Sequence, residues 1–178
     1  MEISLSASGL VAVSPKVFQT LRDRVGAQAL QEGGYAAGEG TYAAFVGWLP
    51  AHAGVDDPRE LAAPRLAEVL SRFFSSLGWG SLEVQPFGDA AFAVDSAGWV
   101  EAQPAAALQY PGCYFTAGLL ADFMSRLADA ALAVMEVECR SRGDARCRWL
   151  VGAPETLTKL YEHMAQGADY RAVLGAGA

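Results

Sequence analysis

The stretch CYFTAGLLADFMSRLADAALAVMEVECRSRGDARCRWL, residues 113–150, decides how this chain is expected to fold. Its apolar residues recur every four positions from Phe115 to Leu127, which predicts an amphipathic helix. Two apolar segments follow at residues 132–139 and 145–151, with the polar turn sequence Ser-Arg-Gly-Asp between them. This pattern predicts two antiparallel strands joined as a β-hairpin. The stretch also holds the three cysteines of the chain, Cys113, Cys139 and Cys147.

The predicted hairpin brings the three cysteines together. A short loop at its tip places Cys139 opposite Cys147, with Cβ atoms about 5 Å apart, and Cys113 comes just before the helix. Such neighbours can share a metal ion or form a disulfide. Three cysteines cannot all pair within one chain, so metal binding is the favoured interpretation and buried free thiols are the alternative.

A structural zinc ion needs four ligands, and three cysteines leave one position open. The two histidines, His52 and His163, both lie far from the hairpin in sequence. Glu136 and Glu138 are nearer, but strict strand alternation points both of them away from the face of Cys139. A β-bulge or bend in the first strand would be needed to bring one of these carboxylates to the cysteines.

The rest of the chain predicts helices before the sheet and one helix after it. Helical patterns cover residues 14–49 and 64–77 and resume after Pro154, with a break at Gly26, and further strands are predicted at residues 81–87, 90–95 and 99–103. This order predicts an α+β fold, in which an antiparallel sheet of about four to five strands carries helices mainly on one face.

At 178 residues the chain is expected to form a single domain, 1–178. The expected parts are an N-terminal arm or strand at 1–13, a helical part at 14–77, the sheet with its inserted helix at 79–151, and a C-terminal helix at 154–166.

The predicted helix over Gly33–Leu49 is unusually rich in glycine. Each interior glycine costs a helix about 1 kcal/mol relative to alanine, so close packing should offset the loss. Small residues spaced four, three and four apart would form one smooth face, at Ala36, Gly40, Ala43 and Gly47. Another helix, a second copy of the chain or a ligand could approach that face closely.

Charge and hydropathy exclude several classes of function. The formal net charge of −7 argues against a nucleic-acid partner, since phosphate contacts need clustered Lys and Arg. A group of four arginines is expected to be a solvated hairpin edge: Arg140, Arg142, Arg146 and Arg148. No run of about 20 apolar residues predicts a membrane span, and the acidic N-terminus is unlike a signal peptide. We therefore expect a cytoplasmic protein.

No catalytic residue is predicted. The chain has no His-x-Glu or His-Glu-x-x-His pair, and no glycine-rich phosphate loop follows a strand. The aromatic residues are the stronger indication, because they exceed what a small core needs and could line a cavity for a small hydrophobic ligand. Ordinary core packing is the alternative. The candidate ligand-binding residues are Phe45, Trp48, Phe74, Phe92, Phe115 and Phe123.

Two motifs in the opening stretch resemble the 4-vinyl reductase domain family. They are Cys113-Tyr-Phe-Thr-Ala-Gly118 and Glu136-Val-Glu-Cys139-Arg-Ser-Arg-Gly143-Asp-Ala-Arg-Cys147. In words, the family signature is a Cys before a helix with an early Gly, then Glu-x-x-Cys, Gly and Cys on a hairpin. The match is strongest over residues 112–151 and extends more loosely back to Ser14.

The resemblance implies a fold shared with the aromatic-sensing domains of phenol- and toluene-responsive activators and with Golgi transport-complex subunits, the NO-signalling/Golgi-transport ligand-binding-like fold. It also implies a structural Zn²⁺ held by Cys113, Glu136, Cys139 and Cys147, with Glu138 as the fallback for Glu136. No nicotinamide or flavin motif supports a reductase activity.

The leading hypothesis from this resemblance is a stand-alone, homodimeric domain. Its ligand would be small and hydrophobic, of an aromatic or tetrapyrrole-like kind. Two alternatives stand beside it: an accessory protein or reductase-associated factor in (bacterio)chlorophyll synthesis, and a dimeric scaffold or adaptor.

Overall fold

A computed structural model describes residues 10–175 of the chain. The predicted N-terminal arm or strand at residues 1–13 therefore falls mostly outside the described residues. Within residues 10–175, no helix combines the length and the apolarity that crossing a bilayer requires.

Helix α1 spans Lys16–Ala53 and is the longest element of the described chain. Its helical geometry breaks at Gly26, which has a φ of 82° and a ψ of 173°, as the sequence predicts for this position. Glycine adopts positive φ values at little steric cost, so the kink falls there. The helix ends at Gly54, with a φ of 74°, whose N–H donates to the carbonyl oxygen of Leu49 at 3.2 Å.

Two further helices pack beside α1. Helix α2, Ala63–Ser76, carries the apolar stripe that predicts it and buries Val69, Leu70, Phe73 and Phe74. Helix α3, Tyr114–Ala128, is the helix of the cysteine stretch. Both predicted helices are confirmed, with ends within about two residues of the expected positions.

Four antiparallel strands form one sheet in the order β1-β2-β4-β3. They are β1 Glu83–Phe87, β2 Ala91–Ser96, β3 Ala133–Glu138 and β4 Cys147–Gly152. Strand β4 lies between β2 and β3 and is buried along its whole length, whereas the edge strand β1 is largely exposed. The predicted α+β class with an antiparallel sheet is confirmed.

No strand forms at residues 99–103, and that prediction is wrong. Trp99 is instead buried in the core, and a short 3₁₀ helix follows at Pro104–Ala106. The carboxylate of Glu101 accepts hydrogen bonds from backbone N–H groups at the start of α3. The segment therefore caps a helix and does not extend the sheet.

Helices cover both faces of the sheet. The three longest, α1, α2 and α3, share one face and enclose the main core, which confirms the prediction of helices mainly on one face. Two smaller helices cover the opposite face and enclose a second core; they are α4, Pro154–Ala165, and α5, Tyr170–Val173. Alternation along β4 serves both, since Trp149 and Val151 belong to the main core and Leu150 to the second.

Helices α1 and α3 approach each other closely at glycines. A Cβ atom built on Gly118 would lie 1.9 Å from the carbonyl oxygen of Gln31, and one built on Gly34 would lie 2.0 Å from the carbonyl oxygen of Phe115. Both partner atoms belong to the backbone, so neither position can accept a larger residue without moving a helix. Close helix packing thus offsets part of the cost of glycine in α1.

The small-residue face predicted from the sequence is a different face of α1. Ala36, Gly40, Ala43 and Gly47 are exposed in the monomer. Outside α1 itself, no described atom lies within 4 Å of a Cβ built on Gly40 or Gly47. This face is therefore open to a second copy of the chain or to another partner.

Candidate metal centre

The three cysteines meet at one end of the main core. Cys113 immediately precedes α3, Cys139 follows β3, and Cys147 begins β4. All three are buried, and none of them forms a disulfide. The Sγ atom of Cys113 lies 3.8 Å from that of Cys139 and 3.9 Å from that of Cys147.

Glu136 completes the cluster. One of its carboxylate oxygens and the three Sγ atoms all lie within 4.8 Å of one another. Ligands held about 2.3 Å from one zinc ion at tetrahedral angles lie roughly 3.8 Å apart. The measured sulfur–sulfur distances match that spacing, so three thiolates and one carboxylate could hold a metal ion here.

The hydrogen bonding of Glu136 also fits a metal ligand. Its Oε2 accepts the backbone N–H of Cys113 at 2.8 Å. Its Oε1 is buried and has no hydrogen-bond partner among the described residues. A buried polar atom without a partner costs about 1–3 kcal/mol, and coordination would remove that cost. The bond to Cys113 would orient the carboxylate toward the ion.

The electrostatics of the cluster favour a bound cation. Burial raises the pKa of Glu136 well above its ordinary range, and the charge of neighbouring Cys139 raises it further. Hydrogen bonds from Cys113 and Cys147 hold the pKa of the Cys139 thiol below its ordinary value. The cluster therefore shares protons as long as no cation is present, and a cation would stabilise the ionised thiolates and carboxylate together.

A β-bulge brings Glu136 to the cysteines. The pairing of β3 with β4 shifts between Glu136, opposite Trp149, and Glu138, opposite Arg148. One extra residue, Val137, lies in the shift and packs into the second core. The strict alternation that would point Glu136 away from Cys139 fails at this residue, as the requirement for a bulge anticipates.

The bulge sends Glu138, the fallback ligand, to the opposite face of the sheet. Its Oε2 accepts from Nε of Arg146 at 2.9 Å, and its Oε1 accepts from the hydroxyl of Tyr170 and from Arg171. Glu138 is therefore fully engaged beneath α5. The structure brings Glu136 to the cysteines and keeps Glu138 away from them.

Arg148 belongs to the same charged network on the second face. Its Nε and Nη2 donate to the two carboxylate oxygens of Asp95 at 2.7 and 2.6 Å. Both side chains are buried. The expectation of a solvated hairpin edge is wrong for Arg148, because β4 is a central strand whose second face is covered.

A second buried carboxylate positions the helix that follows Cys113. Glu101 is 1% exposed and accepts the N–H groups of Phe115 and Thr116 at 3.0 and 2.7 Å. The Thr116 hydroxyl also donates to Glu101 and accepts the indole N–H of Trp99 at 2.6 Å. A negative charge at a helix N-terminus is favourable, so Glu101 anchors the start of α3 beside the cluster.

The candidate ligand-binding aromatics lie in the main core, which also contains the three cysteines. Phe45, Phe74 and Phe123 are completely buried, and the ring of Phe123 lies 5.5 Å from that of Phe45 and 5.4 Å from that of Phe74. Trp48 joins this group through Phe73, at 5.7 Å.

The other two candidates lie at the margin of that core. Phe115 is half-buried and its ring stacks on that of Trp79 at a centroid distance of 6.0 Å. Phe92 is half-buried and packs against the same core from β2. The six candidates thus share one core.

Sequence reasoning did not single out Trp149, a site residue of the main core. Its side chain is fully buried, and its indole N–H has no hydrogen-bond partner among the described residues. The signal for it was strand alternation, since Cys147, Trp149 and Val151 share one face of β4. Glu101 and its contact with α3 carried no such signal, because its partners are more than a dozen residues away.

Comparison with protein families matches residues 98–153 to the 4-vinyl reductase domain. The matched range contains all four members of the cluster, Cys113, Glu136, Cys139 and Cys147. The resemblance read from the sequence is thereby confirmed. Comparison with curated proteins finds no match.

Solved structures share the fold. The phenol-responsive sensory domain of the transcription activator PoxR, solved with phenol, has 14% sequence identity and a TM-score of 0.58, covering 79% of this chain and 73% of that chain. A trafficking protein particle complex subunit 3 from Naegleria fowleri, covalently bound to palmitic acid, has 16% identity and a TM-score of 0.55, covering 83% and 90%. These two likenesses confirm the expected fold.

A vinyl-4-reductase family protein from Methanocaldococcus jannaschii also matches. Its sequence identity is 19% and its TM-score is 0.49, over 85% of this chain and 82% of that chain.

Proposed function

We propose, from the match to the 4-vinyl reductase domain over residues 98–153, that this chain is a small-molecule-binding domain with a structural zinc site. The observation that carries the proposal is the aromatic core in contact with the cysteine–glutamate cluster. The shared fold with a sensory domain solved with phenol supports a small ligand. The ligand would be hydrophobic, of an aromatic or tetrapyrrole-like kind, because rings such as Phe45 and Phe123 offer edge and face contacts to flat apolar molecules.

The zinc ion would fasten α3 to the β3–β4 hairpin. Cys113 supplies the ligand on the helix side, and Glu136, Cys139 and Cys147 supply the ligands on the hairpin side. Four protein ligands leave no open coordination position, so the site is structural and not hydrolytic. Three reduced thiols suit a reducing compartment, and we extend the proposal to a cytoplasmic location.

Elemental analysis of the purified protein tests the metal site. We expect one zinc ion per chain, and we expect Cys113→Ser to lose the metal and to lower the free energy of unfolding by roughly several kcal/mol, since zinc binding is linked to folding. Glu136→Gln should weaken zinc binding. Glu138→Gln is the matched control and should retain it, because Glu138 lies on the other face. Protein that purifies without zinc, or equal zinc loss in both glutamate variants, would contradict the site.

Thermal denaturation and native mass spectrometry test the ligand. We expect toluene, phenol or protoporphyrin to raise the melting temperature of the zinc-loaded protein. Phe123→Leu should weaken this effect, because Phe123 lies at the centre of the main core. Phe87→Leu removes a ring from the second core and should leave binding intact. No stabilisation by any of the three probes would refute the ligand-binding function.

The exposed small-residue face of α1 supports a homodimer. Small side chains let two helix backbones approach closely, and Ala36, Gly40, Ala43 and Gly47 present such a surface to solvent in the monomer. Analytical ultracentrifugation should show a dimer that Gly40→Arg dissociates and that Gln28→Arg, on the exposed part of the same helix, leaves intact. A wild-type monomer would argue against the dimer.

A further inference from the structure

Two buried side-chain polar atoms lack a hydrogen-bond partner among residues 10–175, and the metal site accounts for one of them. The first is Oε1 of Glu136, a member of the cysteine cluster. The second is Nε1 of Trp149, on β4 in the main core. Most buried polar groups in proteins are hydrogen-bonded, so an exception calls for a specific explanation.

The surroundings of Trp149 are apolar. Its ring meets that of Trp99 edge-on at a centroid distance of 5.5 Å. Its cross-strand neighbours are Val94, which is fully buried, and Glu136. The indole N–H of Trp99 donates to Thr116, so of these two tryptophans in contact one has a partner and the other does not.

The partner of Trp149 has to be an acceptor, because an indole N–H only donates. Glu136 is directly opposite, yet the two atoms without partners do not bond to each other. One oxygen of Glu136 already accepts from Cys113, and the other belongs to the metal cluster. The described chain therefore offers no acceptor that the metal site does not already use.

We propose that the Trp149 indole N–H is the hydrogen-bond donor that recognises the ligand of this domain. The ligand class is a hydrophobic molecule that carries an acceptor oxygen, such as a ketone, an aldehyde or an ether. This inference rests on the proposed ligand-binding function and specifies its polar contact. The apolar body of the ligand would pack against Trp99, Val94 and the phenylalanines of the main core.

A pair of probes of similar size isolates the acceptor. Acetophenone has a carbonyl oxygen and ethylbenzene has none. We expect the zinc-loaded, full-length protein to bind acetophenone about tenfold more tightly, which corresponds to about 1.4 kcal/mol. Trp149→Phe should remove the preference. Trp79→Phe, which deletes an indole N–H elsewhere in the core, should keep it.

Nuclear magnetic resonance of the wild-type protein gives a second readout that needs no stable variant. The chain has four tryptophans, so the indole N–H region of a ¹H–¹⁵N spectrum is simple. Acetophenone should shift the Trp149 indole proton downfield, as a new hydrogen bond requires, and ethylbenzene should not.

Three results would overturn the inference, and they differ in what they say about the proposed function. Equal binding of both probes without a Trp149 shift rejects the donor role and leaves ligand binding standing. A Trp149 shift that follows zinc and not acetophenone assigns the donor to Glu136. Failure of both probes and of the earlier panel to bind removes the ligand-binding function and the inference with it.

Discussion

At the scale of single residues, Glu101 is a buried acid whose surroundings act in opposite directions. Burial raises its pKa from an ordinary value of 4.5 to about 7, although the hydrogen bonds from Thr116 and Phe115 and the charge of Arg22 act to lower it. The folded state therefore holds the Glu101 proton more tightly than the unfolded state. Stability from this group is fully present below about pH 4.5 and is lost as the pH rises through about 7.

This shift predicts a pH-dependent difference between the wild type and Glu101→Gln. The wild type should lose up to about 3 kcal/mol of unfolding free energy relative to the variant as the pH rises across that window. Urea denaturation at several pH values measures the difference, and Glu68→Gln on the surface of α2 serves as the control. A difference that stays constant with pH would show that the Glu101 pKa is not raised.

Glu136 and Glu138 show how far sequence can specify a site at this scale. The cysteines and the glutamate pair could be predicted from their spacing and from the family resemblance. Which glutamate reaches the cysteines could not be predicted from alternation, because the bulge at Val137 depends on packing against α4 and α5. Trp149 and Glu101 were missed for a related reason, since their roles come from partners that are distant in sequence.

At the scale of elements, the contact between α1 and α3 depends on glycine at Gly118. Gly118→Ala should lower the free energy of unfolding by about 3 kcal/mol, because the added methyl group would meet the backbone of α1. Gly33→Ala is the matched control in α1. No described atom outside α1 lies near its Cβ position, so alanine should raise stability by roughly 0.5–1 kcal/mol through its higher helix propensity.

Chemical denaturation of both variants checks these opposite signs. Tolerance of alanine at Gly118 would mean that the two helices are not in close contact. The periodicity of α1 alone could not identify this contact, since the sequence offers two small-residue faces. The face around Gly34 and Gly38 was chosen by the position of α3, which a local pattern does not record.

At the scale of the whole molecule, the β3–β4 hairpin connects the two covered faces of the sheet. Cys139 and Cys147 serve the main core, while their neighbours Glu138 and Arg148 hold Tyr170 of α5 on the other side. Sequence order predicted the strands and the helices that precede them. The second core was less visible, because the residues that form it are shared among short segments at both ends of the sheet.

This connection predicts that metal removal loosens the C-terminal segment. Chelation should speed backbone hydrogen exchange at residues 139–147 and also in α5, because the charged network is held by the residues beside the ligands. Exchange in α2 should change little, since α2 packs against α1 and β1. Hydrogen-exchange mass spectrometry with and without a chelator measures this, and unchanged exchange in α5 would show that the two faces act independently.

The extra residue in β3 also bears on how such a site is written in a sequence. Side chains change face at every residue of a regular strand, so an unbulged strand would place the same glutamate and cysteine two positions apart, as Glu-x-Cys. The bulge at Val137 lengthens the spelling to Glu-x-x-Cys without moving either ligand to another face. A one-residue gap at this point in an alignment would therefore record a local change of strand geometry, and the coordinating chemistry could be the same on both sides of it.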